Sequence, residues 1–187
     1  TAQEAPSAVI ALAPTIAILR KRQKHELSER LVERCLQWIG TAADPLLAVE
    51  ALGTLATQIS ADRLETQIAR LAPVVKGMEA HSSLGRGASG IEAEMRRERV
   101  TRALVTVEIL AIHRVPAEAY ETQLLAALAP LLVPGFWSVD SLVRVVPMIR
   151  AESQQKVVAL CHELALNLPT ANNRTHALMA LARTARP

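Results

Sequence analysis

The sequence predicts an all-α chain, a helical-repeat solenoid or a compact multi-helix array of about nine or ten helices. Three observations carry this. Half of the 187 residues are hydrophobic but only 2% are aromatic, so Ala, Leu, Ile and Val must build the core, and Ala and Leu are strong helix formers. A phrase also recurs. Glu65-Thr66-Gln67-Ile68-Ala69-Arg70-Leu71-Ala72-Pro73 returns 56 residues later as Glu121-Thr122-Gln123-Leu124-Leu125-Ala126-Ala127-Leu128-Ala129-Pro130, with one residue inserted. Finally, no stretch reads as a strand; the best candidate, 143–146, is short and sits inside a helical pattern.

The likeness extends upstream. Val49-Glu50-Ala51-Leu52-Gly53 precedes the first phrase and Val107-Glu108-Ile109-Leu110-Ala111 the second, 58 residues on, with Glu163-Leu164-Ala165 a further 55 beyond. Thr175-His176-Ala177-Leu178-Met179-Ala180-Leu181-Ala182 reads as a degenerate third copy and Ala11-Leu12-Ala13-Pro14 as a truncated one. Such drift in spacing is what loops absorb when whole helices repeat.

In chain order, residues 5–13 form a short helix closed before Pro14. A longer one covers 16–39, with Leu27, Leu31, Val32, Cys35, Leu36 and Ile39 at helical spacing and Glu26 four residues before Arg30. Gly40 stops it. Asp44 then caps, and Pro45 opens, a helix over 45–58 that buries Leu46, Val49, Leu52 and Ile59. On it, Gly53 admits a close helix approach. Ser60 or Asp62 caps the helix of the first phrase, striped by Leu64, Ile68 and Leu71, which Pro73 breaks or kinks before a short apolar piece at 74–78. Residues 81–90, with three glycines and three serines, read as a mobile linker between possible halves, 1–80 and 91–187, of one domain spanning 1–187.

A long helix from Ile91 to His113 follows, with Val100, Ala103, Leu104, Val107, Leu110 and Ala111 inward. Its Arg96 and Arg102 stand four residues after Glu92 and Glu98, which balances much of its charge. After Pro116, residues 117–132 carry Tyr120, Leu124, Leu128 and Leu131 on one side. Ser138 or Asp140 caps a helix to Val146, where Pro147 kinks it or starts the next. Residues 151–168 and 171–185 close the chain as a pair joined by Asn167-Leu168-Pro169-Thr170.

Little here reads as chemistry. The net charge of +3 is mild, and nucleic-acid binders concentrate more positive charge in a stripe. Cys35 and Cys161 lie too far apart in sequence for a zinc motif and read as buried thiols in a reducing compartment. His113, His162 and His176 lack metal-like spacing. Cys161-His162 is not a dyad, because neighbouring helical residues point about 100° apart. The glycine-rich 81–90 stretch lacks the lysine and Ser/Thr of a P-loop. No apolar run is long enough to cross a bilayer. No catalytic residue, cofactor or metal is therefore expected. The chain begins at Thr1 with no charged segment ahead of an apolar block. It is read as a cytoplasmic piece of a longer protein, a secreted effector without a classical signal peptide being the alternative.

The closing stretch Asn167-Leu168-Pro169, Arg174, Ala177-Leu178, Ala180-Leu181-Ala182 resembles a degenerate bacterial repeat: leucine-proline, an arginine, then alanine-leucine-x-alanine-leucine. Repeats of this kind occur in HEAT- and armadillo-like solenoids, in sensor regions of signal-transducing NTPases and in helical effectors of plant pathogens. The resemblance implies a right-handed, HEAT-like solenoid acting as a protein-binding scaffold, and it carries over no catalytic residue. The expected partner is a protein. Candidate contacts are the basic run Arg20, Lys21, Arg22 and Lys24, then Arg97 and Arg99, and the aromatic pair Phe136 and Trp137. The blander readings are a solvated helix face for the basic run and a plug between helices for the aromatic pair. The alternative function is a regulatory domain that binds nucleic acid or an acidic ligand through its arginine-rich faces, recognisable by steep salt dependence.

Overall fold

Alanine, leucine and valine at helical spacing yield nine α-helices among the residues that the computed structural model describes, 5–82, 90–133 and 137–184. They are α1 (Ala5–Lys21), α2 (His25–Gly40), α3 (Pro45–Leu55), α4 (Ala61–Ser82), α5 (Gly90–Ala111), α6 (Ala117–Leu128), α7 (Ser138–Val145), α8 (Ala151–Leu166) and α9 (Ala171–Thr184). The described residues contain no strand, and no helix is long and apolar enough to cross a membrane. Four of the helices run into single 3-10 turns, at Ala56–Gln58, Ile112–Arg114, Ala129–Leu131 and Val146–Met148.

The packing order is regular. Helix α1 lies against α3, α3 against α5, α5 against α7, and α7 against α9, while α2, α4, α6 and α8 each pack on the odd helix before them. Ion pairs tie the even side together. Glu29 on α2 meets Arg63 on α4 at 3.0 Å, Glu65 on α4 meets Arg114 at 2.7 Å, and Glu121 on α6 meets Lys156 on α8 at 2.6 Å.

Helix α5 contributes to two apolar cores. Val100, Ala103, Val107 and Leu110 join the core of α1–α4, whereas Val105 and Ile109 join the core of α6–α9. With both sides covered, α5 loses the one-sided stripe expected of it. Ala111, placed inward by the sequence pattern, is exposed, and Arg102, Val105, Thr106 and Ile109 are buried. The simpler stripe on α6 matches expectation: Tyr120, Leu124 and Leu128 are buried on it, as is Leu131 in the turn that follows.

Three connections share one form. A helix ends in a 3-10 turn, one apolar residue goes extended, and the next helix opens on alanine and an acid. The extended residues are Ile59 (φ −122°, ψ 157°), Val115 (φ −64°, ψ 139°) and Ile149 (φ −88°, ψ 149°). Behind them stand Ala61-Asp62, Ala117-Glu118 and Ala151-Glu152, each placing a carboxylate near a helix N-terminus, where the macrodipole favours it. From Ile59 to Val115 is 56 residues, the same offset as the phrase. The upstream match at 58 residues does not share this register. Two extra residues rotate a helical position by about 200°, and Glu50 is half-buried while Glu108 is exposed. Thr66 and Thr122 lie on the even helices α4 and α6, but Thr175 and Ala11 lie on the odd helices α9 and α1.

Local rules fail at several places. Pro14 and Pro73 lie inside α1 and α4 instead of ending them. Each removes one hydrogen bond on an exposed face, while Val9, Ala13 and Ile16, or Leu71 and Val75, hold the opposite face in the core. The helix expected over 16–39 is instead broken at Gln23, whose φ is 57°. There the Lys24 N–H reaches the Leu19 carbonyl and the Gln23 N–H the Arg20 carbonyl, both at 2.9 Å. This is a Schellman stop built on glutamine where glycine or asparagine is usual. Asp44 does cap α3, accepting from the Leu46 N–H at 2.9 Å. Neither Ser138 nor Asp140 caps α7: the Ser138 hydroxyl donates to the Val133 carbonyl at 2.6 Å and Asp140 accepts from Arg144 at 2.9 Å. Helices α4 and α5 take in His81, Ser82 and Gly90, so the expected linker is shorter, and its residues 83–89 lie outside the described ones.

Arginines staple chain turns through main-chain carbonyls. Arg150 donates to the carbonyls of His113 and Val115, the latter at 2.8 Å, with its guanidinium 4.1 Å from the centre of the Tyr120 ring. Arg174 donates to the Leu168 carbonyl at 2.8 Å, which gives a physical reason for the spacing of leucine, proline and arginine in that segment.

Candidate functional site

Odd helices supply the most structured polar site. On α3, Glu50 and Thr54 share a face; on α5, Glu98, Arg102 and Thr106 do; on α7, Asp140 and Arg144 do, each at four-residue spacing. Stacking α3, α5 and α7 brings these stripes together. Arg102 is the centre: its Nη2 donates to Glu50 at 2.8 Å and its Nη1 to Glu98 at 3.3 Å, and the residue is only 8% exposed. Beside it the Arg144 Nε donates to Asp140 at 2.9 Å. A cleft of about 170 Å³ opens here, with Glu50, Thr54, Arg102 and Arg144 as polar lining and Ile10, Val145 and Met148 as apolar walls.

Gly53 lets the walls close in. A Cβ at Gly53 would lie 2.6 Å from the Met148 methyl and 3.3 Å from the Thr106 methyl. The close approach expected at this glycine is therefore real, and it seats the turn after α7 against α3 and α5.

Burial pushes the Glu98 carboxyl above its usual range. Arg102 opposes that shift, Asp140 adds to it, Arg144 opposes it and Glu50 adds to it. A carboxyl with a raised folded-state pKa binds more protons folded than unfolded, so it costs stability as pH rises through its folded value. The cost is absent below the unfolded value of about 4.5. Glu98→Gln should therefore flatten the stability profile between about pH 4.5 and the raised value. Urea unfolding across that range checks this; a variant with the same slope as wild type would refute it.

The residues singled out by sequence do not assemble into one site. Lys21, Arg22 and Lys24 are exposed around the stop at Gln23, and Arg20 instead pairs with Glu29 at 2.6 Å. That hydrogen bond holds the Glu29 carboxyl below its usual range, with burial opposing and the charges of Arg20 and Arg63 reinforcing. On α5, Arg97 is exposed, whereas Arg99 pairs across to Asp44 at 3.1 Å. The charge of α5 is thus balanced by α3 and its cap as well as by its own helix. Trp137 is half-buried at the start of α7, and Phe136 lies outside the described residues.

Cys161 and His162 diverge: the thiol is fully buried and the histidine exposed. Burial pushes the Cys161 thiol up to about 11. Cys161 should thus resist a thiol reagent at pH 8 in the native protein and react on unfolding; rapid native labelling at this residue would contradict the burial. Among the described residues no group of three or more His, Cys, Asp or Glu side chains is placed to hold a metal ion.

The sequence pattern contained a signal for the cleft that goes unused when helices are read singly. Glu50/Thr54, Glu98/Arg102/Thr106 and Asp140/Arg144 are polar residues at four-residue spacing, and those on α3 interrupt an otherwise apolar helix. The Glu98–Arg102 and Asp140–Arg144 pairs each lie within one element and are readable locally; the Glu50 contact with Arg102 needs the tertiary fold. Comparison of the chain with models of protein families, with curated proteins and with solved structures finds no match in any of the three.

Proposed function

We propose that the chain is a non-catalytic scaffold or sensor module, built from helical repeats in the manner of HEAT- and armadillo-like solenoids, that works by binding another protein. The observation that carries this reading is the threefold recurrence of the turn at Ile59, Val115 and Ile149, with odd helices stacked in sequence. A stack of helix pairs in which each contacts its neighbours offers a broad surface to a partner. The reading of a nucleic-acid or acidic-ligand domain draws less support. Arg20, Arg99 and Arg102 are each engaged by a carboxylate of the same chain, leaving fewer charges for phosphates.

Proximity labelling in cells that make the protein, followed by mixing of the purified pair, tests the reading. A stoichiometric complex of two pure proteins is the expected result. Binding of a fluorescent oligonucleotide that weakens steeply with salt, with no protein complex formed, would overturn it in favour of the alternative.

A further inference from the structure

We propose that the outer face of α1 docks an amphipathic α-helix of a protein partner, one that opens on an acidic first turn and lies antiparallel to α1. This rests on the protein-binding reading above and names the surface and the chemistry of what it takes.

Helix α1 is apolar on both sides. No charged residue occurs in it between Ala5 and Leu19. Val9 and Ile16 are buried in the core of α1–α4, where α2 and α3 cover the helix. The opposite side is exposed at Ser7, Ala11, Pro14, Ile18 and Lys21. These positions alternate in steps of four and three, the spacing that keeps one seam turned towards a neighbouring helix. A helix that is apolar all round is ordinarily covered all round. At the other end of the odd-helix order, α9 exposes Asn172, Thr175 and His176, a polar outer face of the kind that finishes a stack. Helix α1 lacks that finish.

The seam suits a helix. Ser7 and Ala11 are small and let a second axis come close, and Ile18, 51% exposed, stands as a knob further along. A lipid surface would ask for large apolar or aromatic side chains along the whole face, where Ser7, Ala11 and Pro14 supply none.

Charge sets the character and direction of the occupant. Lys21, Arg22 and Lys24 are exposed where the seam ends, and their side chains make no ion pair among the described residues. Arg20 is not free in this way, because Glu29 holds it at 2.6 Å. Glu26, the nearest exposed carboxylate in sequence, stands four residues before Arg30, which offsets its charge. The hydrogen bonds around Gln23 fix the turn that carries the cations. A helix favours carboxylates in its first turn, so an acidic first turn placed over this basic end sets the partner antiparallel to α1. The two macrodipoles then oppose each other as well. The first turn of α1 itself holds no acid, so an antiparallel α1 pair from two copies offers no carboxylate from that turn.

The test is an NMR titration of the isotopically labelled chain with a model helix of about 20 residues. The peptide carries leucine and alanine along one heptad seam and glutamates in its first turn; a counterpart with lysines in that turn is the control. Saturable shifts at residues 7, 11, 15, 18 and 21 are expected, with the lysine peptide bound about fivefold more weakly or worse. Ala11→Glu should weaken the acidic peptide by at least the same factor, and its spectrum reports whether the variant is folded. Lys21→Glu, Arg22→Glu and Lys24→Glu together should reverse the preference between the two peptides. Unsaturable shifts, shifts confined to other helices, equal binding of the two peptides, or wild-type affinity in a folded Ala11→Glu chain would each overturn the proposal. A dimer of the free chain that Ala11→Glu dissociates, read by sedimentation, would overturn it in favour of a second copy. Vesicles of phosphatidylglycerol that bind the chain through this face, with no peptide bound, would overturn it in favour of a membrane. A partner protein that binds Ala11→Glu as well as wild type would overturn this assignment and leave the scaffold reading standing. Peptide binding at the seam without any protein complex in cells would do the reverse.

Discussion

Ile109→Ala and Leu110→Ala are each expected to destabilise the fold by about 3 kcal/mol, and the pair together by nearly the sum. Adjacent residues on an ordinary amphipathic helix rarely behave this way, because one of them usually faces water. Here α5 is covered on both sides. Ile109 is fully buried in the core of α6–α9 and Leu110 is 1% exposed in the core of α1–α4. The lost contacts are therefore different ones, and additivity follows from their separation. Urea unfolding of the two single variants and the double variant measures it. A silent Ile109→Ala or Leu110→Ala would mean that α5 is not the shared wall. Loss of only the C-terminal signal on Ile109→Ala, followed by hydrogen exchange, would show that the two cores unfold as separate units.

The same two-sided burial explains how much of the fold the sequence made legible. Where one face is buried, as on α6, the 3.6-residue stripe places Tyr120, Leu124 and Leu128 correctly, with Leu131 just beyond. Where two faces are buried, the stripe blurs, and Val105, Thr106 and Ile109 go unread on α5. Prolines mislead in the other direction. Pro14 and Pro73 carry strong local stop signals, yet a whole apolar face outweighs one lost hydrogen bond on the solvent side. At Gln23 the chain stops where no glycine announces it, because the Schellman hydrogen bonds to Leu19 and Arg20 hold a residue of ordinary propensity in the left-handed region.

The candidate site was still less legible. Its charged members come from α3, α5 and α7, between Glu50 and Arg144, and nothing in single-helix spacing says that Glu50 meets Arg102. Motif reading instead drew attention to runs, such as 20–24, whose charges sit on a turn and partly on a local partner. Sites made by stacking helices are written as short stripes on several helices. They become visible only when the stacking order is known.

Replacing Arg102 with leucine is expected to cost about 3 kcal/mol at neutral pH, more than any other charge substitution among the described residues. The loss comes mainly from what remains: Glu50 and Glu98, whose side chains are 25% and 17% exposed, would keep their desolvation without the guanidinium that now donates to both. With that cation gone, Glu98, already raised by burial, loses the charge that most opposes the shift and should be harder still to ionise. The variant should then regain stability as pH falls towards the unfolded value of Glu98, the opposite of ordinary acid denaturation. Urea unfolding at pH 7 and pH 5 reads both effects, and a variant equally weakened at the two values would remove the electrostatic explanation. Arg102→Met combined with Glu50→Met and Glu98→Met asks a separate question. If apolar packing restores or exceeds wild-type stability, as replacement of whole buried ion networks can, the network is not there for folding. Its charges would then be retained at a cost to stability, as expected of groups that meet a ligand. If the triple variant stays weak, the three side chains are a structural lock between α3 and α5, and the cleft loses its strongest claim to function.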